Sequence, residues 1–307
     1  MKIKSLFVRD ISSKTLLYYD ENRASECQGI CDYLRIDFLP LIGEYKYAER
    51  SKGAFRIGEL EEGMRVGEFA LIFSVEFLNR LSKAKHNVLF VTEGRVIKGV
   101  VHVSDFNRNI VLQSIQHDVL DFERNLRQWL LLNNVTNDSI LAFFEYQLNS
   151  NKRGKGKLEY WQRQIDEFEG KKKSGVLDKF GQLQHFSLSH LLQFANSSYS
   201  SHLLDTRNGV ELSSGSKSPI FQIILDLRNS AMHGKDSIDF QTESGVHTID
   251  QLQDFYKSIN TFISKFEELE QKILSHEKHK RALILDNASK LQIIGEHYPD
   301  AIEFFIR

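Results

Sequence analysis

Apolar positions change their spacing near residue 115. Before it, short apolar runs of strand length alternate with turn residues. After it, apolar residues recur every three or four positions, the period of a helix. In the first part, Val88–Val91 is followed by Glu93-Gly94, a turn signal, and then by Val96-Ile97, Gly99 and Val100–Val103. Such β-branched runs punctuated by glycine predict two strands and a tight connection. Ser104-Asp105 then opens a helix. Upstream, Phe69 through Leu81 reads as a buried helix. A fainter version precedes it: a helix over 24–34, strand and turn over 37–43, and a strand at 54–57. An internal repeat of about 60 residues is the expectation.

The second part reads as helices. Val119, Phe122, Leu126 and Leu130 form one stripe, and Ile140, Leu141, Phe144 and Leu148 a second, capped at Asn137 or Asp138. Leu158, Trp161, Ile165 and Phe168 form a third, and Leu188, Leu191, Leu192 and Ala195 a fourth, after Ser187. Residues 196–218 read as a loop, and a helix over 219–232 follows. Thr248 and Gln251 form a capping box before a heptad stripe, Leu252, Phe255, Ile259, Phe262, Phe266, Leu269 and Ile273. That stripe suits either a bundle helix or a dimer seam. The tail 276–307 is expected to pack back through Leu283, Ile284, Ile293, Ile294 and Phe304.

The predicted class is α+β, with a small α/β part over 1–115, a helical domain over 116–275 and an extension over 276–307. The 307 residues, 41% of them apolar, suffice for two cores. A net charge of −1 argues against coating nucleic acid through bulk charge. Cys27 and Cys31 are too few for a disulfide framework or a zinc site, and His276/His279 lack further ligands, so no metal is expected. No signal segment or 18-residue apolar run is seen, and a cytoplasmic chain without a membrane partner is the expectation. Lys152–Lys157 and Lys171–Lys173 either steer RNA phosphates or are solvated loops.

Arg228-Asn229-Ser230-Ala231-Met232-His233-Gly234 carries the chemistry. A histidine near a helix end can shuttle protons, an arginine can hold phosphate oxygens, and the amide can orient either. The string resembles the Arg-x(4–6)-His motif of HEPN domains. That resemblance implies a helical bundle that dimerises and cleaves RNA without metal, with Arg228, Asn229 and His233 catalytic. Such proteins act in phage defence and toxin–antitoxin systems, which implies a homodimer with RNA and an antitoxin or regulatory protein as partners. The segment 88–107 resembles the end of a CBS motif: strand, turn, strand with a glycine, then an acidic step into a helix. CBS pairs bind adenine nucleotides. The resemblance implies a regulatory nucleotide on Val100, Val101, His102 and Asp105, with the backbone at Val100-Val101 meeting the base and Asp105 accepting from ribose. Asp105 as a plain helix cap stays open. The expected function is a nucleotide-gated endoribonuclease. The alternative is a non-catalytic nucleotide-sensing or interaction module carrying an inactive HEPN-like bundle.

Overall fold

The computed structural model describes residues 1–34, 36–51, 53–150, 155–179, 181–213, 215–233 and 246–290. In chain order it contains α1 (Val8–Ile11), α2 (Ala24–Leu34), β1 (Phe38–Pro40), β2 (Lys46–Ser51), β3 (Ala54–Glu59), β4 (Arg65–Gly67) and α3 (Val75–Lys83). There follow β5 (Val88–Glu93), β6 (Val96–His102), α4 (Asn109–Leu132), α5 (Asn137–Asn149), α6 (Lys155–Lys173), α7 (Val176–Lys179) and α8 (Leu188–Ala195). A hairpin of β7 (Gly209–Glu211) and β8 (Lys217–Pro219), α9 (Ile220–His233) and α10 (Ile249–Lys290) complete it. The class is mixed α+β, with small sheets toward the N-terminus and helices after them. No described helix is long and apolar enough to cross a membrane.

The chain divides into two compact units. The first comprises Met1–Val119, Val210–Ser218 and Asp226–Ile259; the second comprises Leu120–Gly209, Pro219–Leu225 and Asn260–Arg307. The change of pattern at 115 thus falls inside a continuous helix, α4, because a 24-residue amphipathic run offers no breaker there.

In the first unit, β1, β2 and β3 form an antiparallel meander. The second sheet has β4 parallel to β5 and β5 antiparallel to β6, with α3 between β4 and β5. The two sheets differ in strand direction, so they are not copies of one repeat. Phe38, Leu60, Phe90 and Ile97 form one buried cluster, in which the Tyr47 and Phe90 rings lie 5.8 Å apart. The Tyr47 ring packs on Gly58: a Cβ there would stand 2.8 Å from Tyr47 Cζ, so a larger residue would require the ring to shift. The helix expected from Phe69 begins only at Val75, where the Ser74 hydroxyl accepts from Phe77 N–H. The residues before it pair with the N-terminal segment instead: Val8 N–H donates to Ala70, Arg9 N–H to Glu68, and Ile72 N–H to Leu6. Phe69 is left 62% exposed.

In the second unit, Thr136 rather than Asn137 caps α5, accepting from Ser139 N–H. Asn137 is buried and serves another segment: its side chain accepts from Leu183 N–H at 2.8 Å, and its own N–H donates to Gln182. Leu183 has φ +67°, a strained value for leucine. Arg127 helps hold it, with Nε donating to the Leu183 carbonyl and Nη2 to the Phe186 carbonyl, beside Glu123. Back in the first unit, the Thr248/Gln251 capping box forms as expected, since Gln251 N–H donates to Thr248 Oγ1 and Thr248 N–H to Gln251 Oε1. All seven heptad residues of α10 are buried within the single chain, so this stripe is core. Beyond it the helix continues through residues 276–290 and Leu283 is 53% exposed, not packed back. The Ile284 side chain, Ile293, Ile294 and Phe304 lie outside the described residues.

His190 lies at 8% exposure among the Phe144, Phe168 and Phe186 rings, with Nε2 hydrogen-bonded to Tyr160 Oη. Burial lowers its pKa from 6.5 to about 4, against the opposing pull of Glu167. The unfolded chain takes the proton first, so stability is full above about pH 6.5 and falls as pH drops from there toward 4. The loss is about 3 kcal/mol when complete. Urea midpoints measured from pH 7.5 to 4.5 should fall more steeply for wild type than for His190→Phe. Equal slopes would refute this. Arg127→Ala should cost about 3 kcal/mol at pH 7.5, because it strands Glu123 and frees a strained turn.

Candidate functional site

The strand β6 ends in a tight piece of chain. His102 caps a 3-10 turn over Val103–Asn107: its Nδ1 accepts from Ser104 N–H, while Asp105 Oδ2 accepts from His102 N–H at 2.7 Å. An Nδ1 acceptor is unprotonated, so the neutral ring carries its proton on Nε2. Burial lowers the His102 pKa, His247 adds to that, and Asp105 opposes it. Asp105 Oδ1 accepts from Arg108 at 2.9 Å and 2.8 Å. Arg108 also donates to Ser13 Oγ at 2.6 Å and the Ser12 carbonyl at 3.4 Å. The guanidinium thereby ties the segment after α1 to the turn after β6.

That segment runs beside β6. Ser13 and Val100 exchange backbone hydrogen bonds, Ser13 N–H to Val100 O at 2.9 Å and Val100 N–H to Ser13 O at 3.1 Å. Gly99 permits the approach, because a Cβ would lie 2.9 Å from the Ser13 carbonyl oxygen.

A cavity of about 510 Å³ opens against this bridge. Its polar lining is Ser13, Thr15, Asp37, His102, Ser104 and Asp105. Leu16, Leu17 and the 36–40 segment, with Val88 and Val100, supply apolar walls. The size suits a small organic ligand. Three of the four residues expected to hold a nucleotide, Val100, His102 and Asp105, therefore share one cavity. Val101 is wholly buried and does not line it. The Val100 backbone, expected to meet the base, is hydrogen-bonded to Ser13 instead. Asp105 caps the turn after β6 and also lines the cavity. Ser13, Thr15, Asp37 and Arg108 were not legible as site residues. Only the pairing of residue 13 with residue 100 brings the first two here.

Arg228, Asn229 and His233 lie on the last turns of α9, with His233 its last residue. They belong to the first compact unit, as does the cavity. Leu227 and Ala231 are buried, whereas Arg228 is half-buried and Asn229 exposed. Arg228 Nη1 donates to Asn229 Oδ1 at 3.3 Å. The His233 side chain and Gly234 lie outside the described residues, as do residues 152–154 of the first basic segment. In the second, Lys171, Lys172 and Lys173 pair with Glu167, Asp138 and Glu169. These lysines are balanced by carboxylates.

Gly99→Ala should lower stability by about 1–3 kcal/mol, through the steric cost of parting Ser13 from Val100. The measurement is the urea midpoint beside that of Gly94→Ala, whose Cβ meets no atom within 4 Å but whose φ is +56°. A loss at position 99 no larger than that from the φ strain at position 94 would refute the crowding. Comparison of the chain with protein-family models, with curated proteins and with solved structures found no match.

Proposed function

We propose that the chain is a metal-independent endoribonuclease of HEPN type, regulated by an adenine nucleoside or nucleotide in the cavity of a CBS-like module. The observation that carries this reading is that the cavity and the Arg228–His233 turns fall in one compact unit. A ligand there can bias the geometry of the turn without coupling across two separately folded bodies. The order β5, turn at Gly94, β6 with Gly99, then the acidic step at Asp105, supports the CBS-like half.

The chemistry follows from the residue types. A ribose 2′-oxygen attacks the adjacent phosphorus and the bond to the 5′-oxygen breaks, leaving a 2′,3′-cyclic phosphate and a 5′-hydroxyl. His233 transfers the proton between these oxygens. Arg228 offsets charge on the phosphoryl oxygens, and Asn229 orients Arg228, to which it is hydrogen-bonded. Helix geometry favours a pair of chains for this work. Residues five apart on a helix point about 140° apart, so Arg228 and His233 diverge within one regular helix. Two copies placed face to face bring the arginine of one opposite the histidine of the other, which is the homodimer that the HEPN resemblance implies.

Purified protein should cleave total RNA in EDTA and leave cyclic phosphate ends. His233→Ala and Arg228→Ala should each slow cleavage at least ~100-fold with helicity retained. No cleavage with or without adenine nucleotides, or equal cleavage by the variants, would overturn the ribonuclease. Ligand binding without cleavage would instead favour the sensing module.

A further inference from the structure

The charge around the cavity bears on which form of ligand it takes. Asp37 and Asp105 line it, and among the described residues no lysine or arginine does. Among the described residues, the guanidinia paired with these two carboxylates also serve other groups. Arg50 Nη2 donates to Asp37 at 3.2 Å while Nη1 pairs with Asp32, so one guanidinium serves two carboxylates. Arg108 is held by Asp105 and Ser13. Each of the two lining carboxylates is thus paired with a guanidinium, and that of Arg50 is shared with Asp32. Lys14 is exposed and is not part of the lining, although Ser13 and Thr15 on either side of it are.

The remaining polar side chains of the lining are uncharged hydroxyls and neutral His102. An ionised carboxylate has about four lone-pair positions. Asp105 uses three of them within the chain, and Asp37 accepts from Arg50. Ser13, Thr15 and Ser104 add hydroxyls, and neutral His102 adds one ring N–H. Such a lining pairs well with ligand hydroxyl donors and poorly with a dianionic phosphate.

Resting on the reading of this cavity as a nucleoside-bearing site, we infer that it selects an uncharged, hydroxyl-rich ligand, a nucleoside, over its phosphorylated forms. Asp37 and Asp105 accept from the sugar hydroxyls and repel phosphate, and the apolar walls contact the base.

Titration calorimetry of the full chain with adenosine and with ATP, both in EDTA at pH 7.5, tests this. Adenosine should bind at least tenfold more tightly than ATP. Asp37→Asn removes one negative charge while keeping its shape, and should narrow that ratio at least threefold. ATP binding as tightly as adenosine, or a ratio unchanged in Asp37→Asn, would overturn the selectivity and leave the cavity as a nucleotide site. Binding of neither would overturn the cavity's role altogether.

Discussion

Two backbone hydrogen bonds between Ser13 and Val100 anchor the N-terminal segment of the first unit to its second sheet. They add the segment after α1 to the edge of β6, and the cavity exists because that segment lies there. The bridge needs Gly99 for clearance and Arg108 for attachment, and Arg108 needs Asp105. Asp105 in turn orders the turn that presents His102 and Ser104. Each of these residues is therefore structural and site-forming together.

The sequence showed most clearly what depends on near neighbours. The α10 capping box, the β5–β6 turn and the burial of the heptad stripe all follow from residues within a few positions of one another, where periodicity and capping chemistry act directly. The meander of β1 to β3 was half visible. β2, with Lys46, Glu49 and Arg50, carries too many charges to look like a strand, yet its backbone pairs on both sides. Phe69 misled in the opposite direction. Its apolar neighbours read as a helix, but their carbonyls and amides are claimed by residues 6–9, some 60 positions away.

The candidate sites divide along the same line. Val100, His102 and Asp105 could be singled out because strand, turn and acidic step are contiguous. Thr15 and Asp37 could not, because nothing local marks them. Asn137 looked like a cap by type and position, but burial against Gln182 and Leu183 directs its side chain to another loop, and the cap passes to Thr136. For Arg228 and Asn229 the helix stripe was sufficient: burial of Leu227 and Ala231 turns them outward, as the spacing requires.

The two cysteines offer a way to watch this unit breathe. Cys27 and Cys31 sit one turn apart on α2, packed with Leu39 and Ala48, and burial raises the Cys31 thiol above its ordinary pKa. Both sulfurs are buried, so their alkylation should wait on the helix lifting from the meander. Their rate of alkylation therefore acts as an internal clock for opening of the N-terminal core. The reporter is already present in the native chain, and no label has to be introduced to read it.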